Sequence, residues 1–289
     1  MTRYGMVIDV NKCVGCYNCF VACKDEFWEN DYPPYSRAQP DHGHYWIRIA
    51  EKERNFPQIV VRVDYVPVMC QMCRDPPCVK AAKDGAVYVR EDGIVIIDPE
   101  KSKGQKQIVD SCPYGAIFWN EELQIPQKCT FCAHLLDQGW KRPRCVEACP
   151  VDAMIFGDLD DPNSEVARLW ERAEVLSPEQ ATKDLLSPPG EDKYGVSVKY
   201  IGLPRPTIGG SVIFADTGEC AEGVTVSVVE GDRIVASART NAFGDFMISG
   251  LELNKKYVVH FEYPGYAPKD LEATTSGDVN LGEVRLERR

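Results

Sequence analysis

The stretch Cys13-Val14-Gly15-Cys16-Tyr17-Asn18-Cys19-Phe20-Val21-Ala22-Cys23 decides how the rest of the chain is read. Its spacing is C-x2-C-x2-C-x3-C. Thiolates spaced in this way hold iron–sulfur clusters, and the fourth cysteine of such a run ligates a second cluster rather than closing the first. The run therefore needs one thiol from elsewhere to finish its own cluster and three more to finish the neighbour. The chain has thirteen cysteines with which to meet that need.

Cys70, Cys73 and Cys78 form C-x2-C-x4-C, and Cys112 is followed by Pro113. Cys129, Cys132, Cys145 and Cys149 form C-x2-C-x12-C-x3-C, and Pro150 comes next. If the first and last groups are partners, Cys13, Cys16, Cys19 and Cys149 hold one 4Fe–4S cluster. Cys23, Cys129, Cys132 and Cys145 then hold its neighbour, and Cys70, Cys73, Cys78 and Cys112 make a third. Counting back from Cys112 by the ferredoxin spacing lands on Ile108, Gln105 and Ser102, and counting forward from Cys78 by four lands on Ala82. These positions would be the ligand set of a fourth cluster. All of them lack a thiol together, which reads as one whole site deleted.

Zinc sites also use C-x2-C pairs, but they need two pairs per metal and do not use the four-cysteine run. Disulfides would require an oxidising compartment and usually a short secreted domain. Cys220 lies far downstream in strand-like sequence and reads as a single structural thiol.

Composition limits the function classes. At 289 residues the chain has room for two domains, each with a core. A net charge of −11 argues against nucleic acid and against an anionic membrane surface. No stretch approaches the roughly 18 consecutive apolar residues of a membrane-spanning helix. Met1–Val10 reads at once as a strand, with neither the apolar core of a signal peptide nor a twin arginine. A cytoplasmic chain is expected, with export beside a signal-bearing partner left open.

Up to residue 158, cysteine groups alternate with short strand-like runs: Met6–Val10, Ala86–Arg90, Ile94–Ile97 and Ala116–Trp119. This pattern predicts a two-cluster ferredoxin-like domain, used twice and cross-connected, over residues 1–158. Over 159–204, Asn163 and Ser164 can cap a helix through Glu165–Leu176, with Val166, Leu169, Trp170 and Ala173 on one face. Pro178 and then Pro188-Pro189-Gly190 break the next stretch into an extended wrap. Asp158, Asp160, Asp161 and Asn163 lack the glycine and glutamate of an EF-hand, so helix capping is the better reading.

Residues 205–289 predict a seven-stranded β-sandwich of transthyretin or immunoglobulin type. Its expected strands are Ser211–Phe214, Val224–Val229, Arg233–Arg239, Phe246–Ser249, Tyr257–Tyr263, Leu271–Thr274 and Gly282–Leu286. The whole is α+β. Other chemistry is thin. The histidines are His42, His44, His134 and His260; the Asp41–Trp46 stretch offers a metal two of them, but without a third ligand in view such a pair is more often structural or at an interface. Lys12, Lys24, Lys128, Arg142 and Arg144 flank cysteines, either as solvated charge or as local positive charge that raises cluster potentials. No dinucleotide fingerprint, phosphate loop or nucleophilic triad is present, so no catalytic residue is expected on this chain.

The cysteine groups, with Phe156–Val166 (FGDLDDPNSEV) and Tyr200–Pro206 (YIGLPRP), resemble the iron–sulfur subunits of the dimethyl sulfoxide reductase family. Those subunits usually carry four clusters beside a molybdopterin subunit. The deleted site, the added β module, Glu91–Lys101 (EDGIVIIDPEK), Ser111–Glu122 (SCPYGAIFWNEE) and Gln127–Asp137 (QKCTFCAHLLD) narrow the similarity. It points to the small subunits of hydroxytransferases that act on polyhydroxybenzenes. That resemblance implies a heterodimer whose large subunit holds a molybdenum or tungsten bis-pterin guanine dinucleotide and carries out the reaction. A respiratory conduit to a membrane-anchor subunit and a free polyferredoxin carrier are the other two readings.

Overall fold

Tyr4–Asp9 forms a central strand because its apolar run is wanted on both faces. In the computed structural model, which describes residues 2–56 and 60–289, it pairs antiparallel with Met154–Asp158 and parallel with Val198–Ile201. Met6 and Ile8 point into the main core with Val198 and Tyr200. Val7 points the other way, into a smaller core with Ile155, Leu159, Val166 and Ala173. The chain divides into two units. The first comprises residues 2–51, 65–185 and 189–203, and the second comprises the described residues of 52–64 together with 186–188 and 204–289.

In the first unit the cysteines ride on short helices and the loops between them. Asn18–Phe27 carries Cys19 and Cys23, Pro77–Ala81 carries Cys78, and Arg144–Glu147 carries Cys145. Gln107–Asp110 ends just before Cys112, and Ala133–Asp137 begins just after Cys132. Short two-stranded ribbons stand between them: Val87–Val89 with Val95–Ile97, and Phe118–Asn120 with Ile125–Gln127. The main core contains eight of the cysteines among its buried residues, beside Phe27, Trp46, Met69, Met72 and Phe131. These cysteines are thus part of the packing.

Two expectations over 159–204 need correction. The helix after residue 164 runs only over Glu165–Trp170, capped by the Ser164 hydroxyl on the Ala167 N–H. It stops short because Glu174 and Val175 are drawn into bridges with Tyr200 and Gly190. Pro178 does not break structure but starts a helix, Pro178–Thr182, where its missing N–H costs nothing. Ser177 and Gln180 close a capping box around that start, at 3.1 Å in each direction. The strands Ile47–Phe56 and Val60–Met69 pair in a ribbon, and neither they nor Val198–Ile201 were among the expected strands.

The second unit holds two sheets. One has the order Asp245–Ile248, Ile208–Phe214, Val279–Leu286, the last pair being parallel. The other has the order Arg233–Arg239, Thr225–Glu230, Lys256–Glu262, Lys269–Thr274, antiparallel throughout. Alternating residues of both sheets, among them Val212, Val226, Val228, Phe246, Val259, Phe261 and Leu286, form one core. Each such side chain contributes about 1.5–3 kcal/mol by leaving water. Gly244, at φ +76°, allows a close approach, since a Cβ there would lie 2.2 Å from the Val212 carbonyl oxygen. One ion network lies inside this unit. Arg54, only 5% exposed, meets Asp64 at 2.8 Å and Asp278 at 2.6 Å.

Candidate iron–sulfur sites

All thirteen cysteines are free thiols, so the disulfide alternative is not realised. Among the described residues no group of three or more His, Cys, Asp or Glu side chains is arranged to hold a metal ion. Neighbouring thiols raise one another's pKa, as the shifts of Cys19, Cys23, Cys145 and Cys73 show.

Cys13 follows a 3-10 turn over Val10–Lys12. Burial pushes its thiol up, the Gly15 N–H pulls it down, and Cys149 and Cys16 push it up further. Gly15 sits at φ +66° with the Tyr65 ring where a Cβ would go, so the turn that aims its N–H at sulfur needs glycine. Cys19 is pushed up to about 12 by burial and by Cys13, Cys149 and Cys16. Cys149 accepts from the Ala153 N–H at 3.3 Å. Cys16 alone of these is exposed.

Cys23, reached from the same helix one turn on, belongs to another neighbourhood. Burial drives its pKa well up, and Cys129, Cys132, Cys19 and Glu26 add to that. Cys145 is driven up by burial and then by Cys132, Cys129, Cys23 and Cys19. Phe131 and Cys132 lie in succession in the left-handed region, at φ 51° and 52°, a turn that points the Phe131 N–H at Cys129 Sγ, 3.4 Å away.

The third set is Cys70, Cys73, Cys78 and Cys112. Burial raises Cys73, and Cys70, Cys112 and Cys78 act with it. Cys78 is pushed up to about 11 by burial, against the opposing charge of Lys128. Cys112 is raised by burial and Cys70, while the N–H groups of Ala116 and Tyr114 face it. Cys19 also acts on Cys23 and Cys145, and Cys70 acts on Cys129.

These features fit iron–sulfur clusters. Neighbouring thiols, most of them buried, that repel one another as anions suit a multivalent cationic core. Backbone N–H groups aimed at sulfur are the donors that stabilise cluster thiolates.

The four positions expected to mark a deleted site are Ala82, Ser102, Gln105 and Ile108. Ile108 is fully buried in the main core, with Ala82 packed against that core. Gln105 donates to the carbonyls of Lys101 at 2.8 Å and Lys83 at 3.3 Å, and accepts from the Lys83 N–H at 2.8 Å. Ser102 is fully buried. His44 is buried with Nε2 3.0 Å from the Trp119 carbonyl, and burial lowers its pKa. His134 Nε2 lies 3.0 Å from Glu26, which also receives Tyr32 and Arg144. Sequence reasoning did not single out Glu26. One turn beyond Cys23, it carries no signal beyond its acidity.

Residues 61–159 match the 4Fe-4S dicluster domain, and residues 207–287 match the carboxypeptidase regulatory-like domain. The chain is 40% identical, over 292 residues, to the pyrogallol hydroxytransferase small subunit of Pelobacter acidigallici, covering 99% of this chain and 100% of that one. The chain belongs to the iron–sulfur subunits of the dimethyl sulfoxide reductase family. Two further members are a tetrathionate reductase subunit of Salmonella typhimurium and the arsenate respiratory reductase iron–sulfur subunit of a Shewanella species. The first is 38% identical over 184 residues, 62% of this chain and 69% of its own. The second is 32% identical over 231 residues, 62% of this chain and 93% of its own. As a member of this family the chain is an electron-transfer subunit that binds 4Fe–4S clusters. Its mixed α+β architecture combines a ferredoxin-type domain with a C-terminal β-rich one.

Proposed function

We propose that this chain is the small subunit of a molybdenum or tungsten bis-pterin hydroxytransferase that converts pyrogallol to phloroglucinol. The observation that carries this reading is end-to-end identity of 40% with a pyrogallol hydroxytransferase small subunit, β-rich domain included. The chain holds three clusters, on Cys13, Cys16, Cys19 and Cys149, on Cys23, Cys129, Cys132 and Cys145, and on Cys70, Cys73, Cys78 and Cys112. Electrostatic coupling of the thiols within each of these sets supports the assignment. Residues 1–158 carry the clusters as a ferredoxin-like arrangement used twice, residues 159–204 wrap it, and residues 205–289 form the sandwich.

A bound 4Fe–4S cluster supplies one-electron transfer. The chain's own residues exclude water from eight of the twelve ligands and present N–H groups to sulfur, so each site is held ready without rearrangement. Hydroxyl transfer between polyhydroxybenzenes consumes no net electrons. The relay therefore serves to set the oxidation state of the metal on the large subunit, and no substrate chemistry falls to this chain. Among the described residues no helix is long and apolar enough to cross a membrane. That suits a cytoplasmic heterodimer with the large subunit.

Co-expression of the two subunits, native mass measurement and a pyrogallol assay test the reading. The expected result is a one-to-one complex, with metal and pterin on the large subunit, that forms phloroglucinol. A complex that instead passes electrons to a membrane-anchor protein, with no phloroglucinol formed, would favour the respiratory reading that the tetrathionate and arsenate reductase relatives suggest. A chain that purifies alone as a monomer would favour the free carrier.

A further inference from the structure

Lys128 sits between two cysteine sets and is 2% exposed. Its Nζ donates to the carbonyl oxygens of Val95 at 2.5 Å and Cys129 at 2.9 Å, and lies 4.0 Å from Met72 Sδ. All three acceptors are uncharged, and among the described residues no carboxylate pairs with this ammonium. A buried cation without a counter-ion is costly, so the structure must supply negative charge by another route. The groups that feel Lys128 are the thiols of Cys73, Cys78, Cys112 and Cys129, and on Cys78 only burial acts more strongly. On the three-site reading, a thiolate-bound cluster would supply that negative charge.

The surroundings of the three sites differ in sign. Arg48, whose charge acts on Cys112, is a second cation beside the same set, tied to the carbonyl of Ala181 at 2.6 Å. At the middle set the Glu26 carboxylate acts on Cys23 and Cys132, with Arg144 opposing it at Cys132. At the first set the charged groups that act on Cys13 and Cys19 are other cysteines. Reduction adds a negative charge, which a fixed cation stabilises.

We propose that the Lys128 ammonium makes the Cys70–Cys73–Cys78–Cys112 site the most readily reduced of the chain's clusters, so that an electron entering the chain comes to rest there. This rests on the three-site reading above.

The test is a redox titration of the iron-loaded full chain followed by electron paramagnetic resonance, with iron counted in every sample. In the wild type, the first signal to appear on reduction should be the one that Cys78→Ser abolishes or alters. Lys128→Met should shift the reduced-to-oxidised ratio of that centre, at fixed potential, about tenfold or more toward oxidised, about 59 mV for a one-electron couple. Lys128→Arg, which keeps the charge, should hold it within about threefold, as should the other two centres in both variants. An early signal untouched by Cys78→Ser overturns the proposal, as does a Lys128→Met protein with full iron and no shift, or with equal shifts at every centre. If Lys128→Met loses iron, the wild-type order of reduction still decides. A wild-type chain that binds iron for fewer than three clusters would instead remove the underlying assignment.

Discussion

Arg54→Met removes the cation from a buried network in the β-rich unit. The Arg54 guanidinium donates through Nε to Asp64 Oδ2 at 2.8 Å. One of its terminal nitrogens donates to Asp278 Oδ1 at 2.6 Å and to the Arg205 carbonyl at 2.9 Å. The side chains of Arg54, Asp64 and Asp278 are 6%, 7% and 15% exposed. Without Arg54, Asp64 keeps, among the described residues, the mostly exposed Arg62 at 2.9 Å, and Asp278 keeps the Thr207 N–H at 3.0 Å. Stranding buried carboxylates in this way costs about 3–5 kcal/mol, against about 0–1 kcal/mol for a solvated surface pair. For a unit of this size about 3 kcal/mol lowers Tm by at least about 12 °C. Scanning calorimetry of the iron-loaded chain should show that shift in one transition, with iron content unchanged. Arg54→Lys should lose less, because charge survives while the planar fork does not. Adding Asp64→Asn and Asp278→Asn to Arg54→Met should recover most of the loss, because the stranded charges are gone. A loss under about 1 kcal/mol for Arg54→Met would show that the network is solvated and refute the reasoning.

Gly244→Ala drives a methyl group against the Val212 carbonyl, which is itself fixed in the sheet, so chemical denaturation should report a loss of about 3 kcal/mol or more. A loss below about 1 kcal/mol would mean the turn can relax. The Arg90 guanidinium holds the Asp137 carboxyl below its usual range through bonds at 2.7 and 2.9 Å. A depressed carboxyl contributes stability above its unfolded pKa of about 3.9 and loses it as pH falls through the folded value. Asp137→Asn should therefore flatten the stability curve below about pH 4, and an unchanged acid limb would count against the pair. Stripping iron with a chelator should collapse amide protection over the cysteine-bearing unit, whose core contains the ligands, and spare Ile208–Leu286, whose core contains none. Equal loss of protection in both would contradict the separation of the two cores.

The parts legible in the sequence are those where local chemistry dominates. Cysteine spacing carries the cluster class because ligand geometry demands it, and the strands of 208–286 fall close to their expected limits because turns and period-two patterning enclose each one. Failures occur where distant pairing overrides a local preference. The pattern through Leu176 suits a helix, yet Tyr200 and Gly190 claim Glu174 and Val175 for bridges. Pro178 looks like a breaker until Ser177 and Gln180 turn it into a helix start. The parallel strand Val198–Ile201 has meaning only beside Met6–Asp9, nearly two hundred residues earlier. At the sites, Lys128 stands out in the sequence as positive charge beside cysteines, whereas Glu26 carries no such signal. Their burial arises only from tertiary packing.

The central claim is three complete clusters with the fourth site filled by Ala82, Ser102, Gln105 and Ile108. Anaerobic purification followed by iron and labile-sulfide analysis tests it most directly. The account expects about 12 iron and about 12 sulfide per chain. About 16 of each would contradict it, because a fourth cluster would then be bound without the thiols those positions lack.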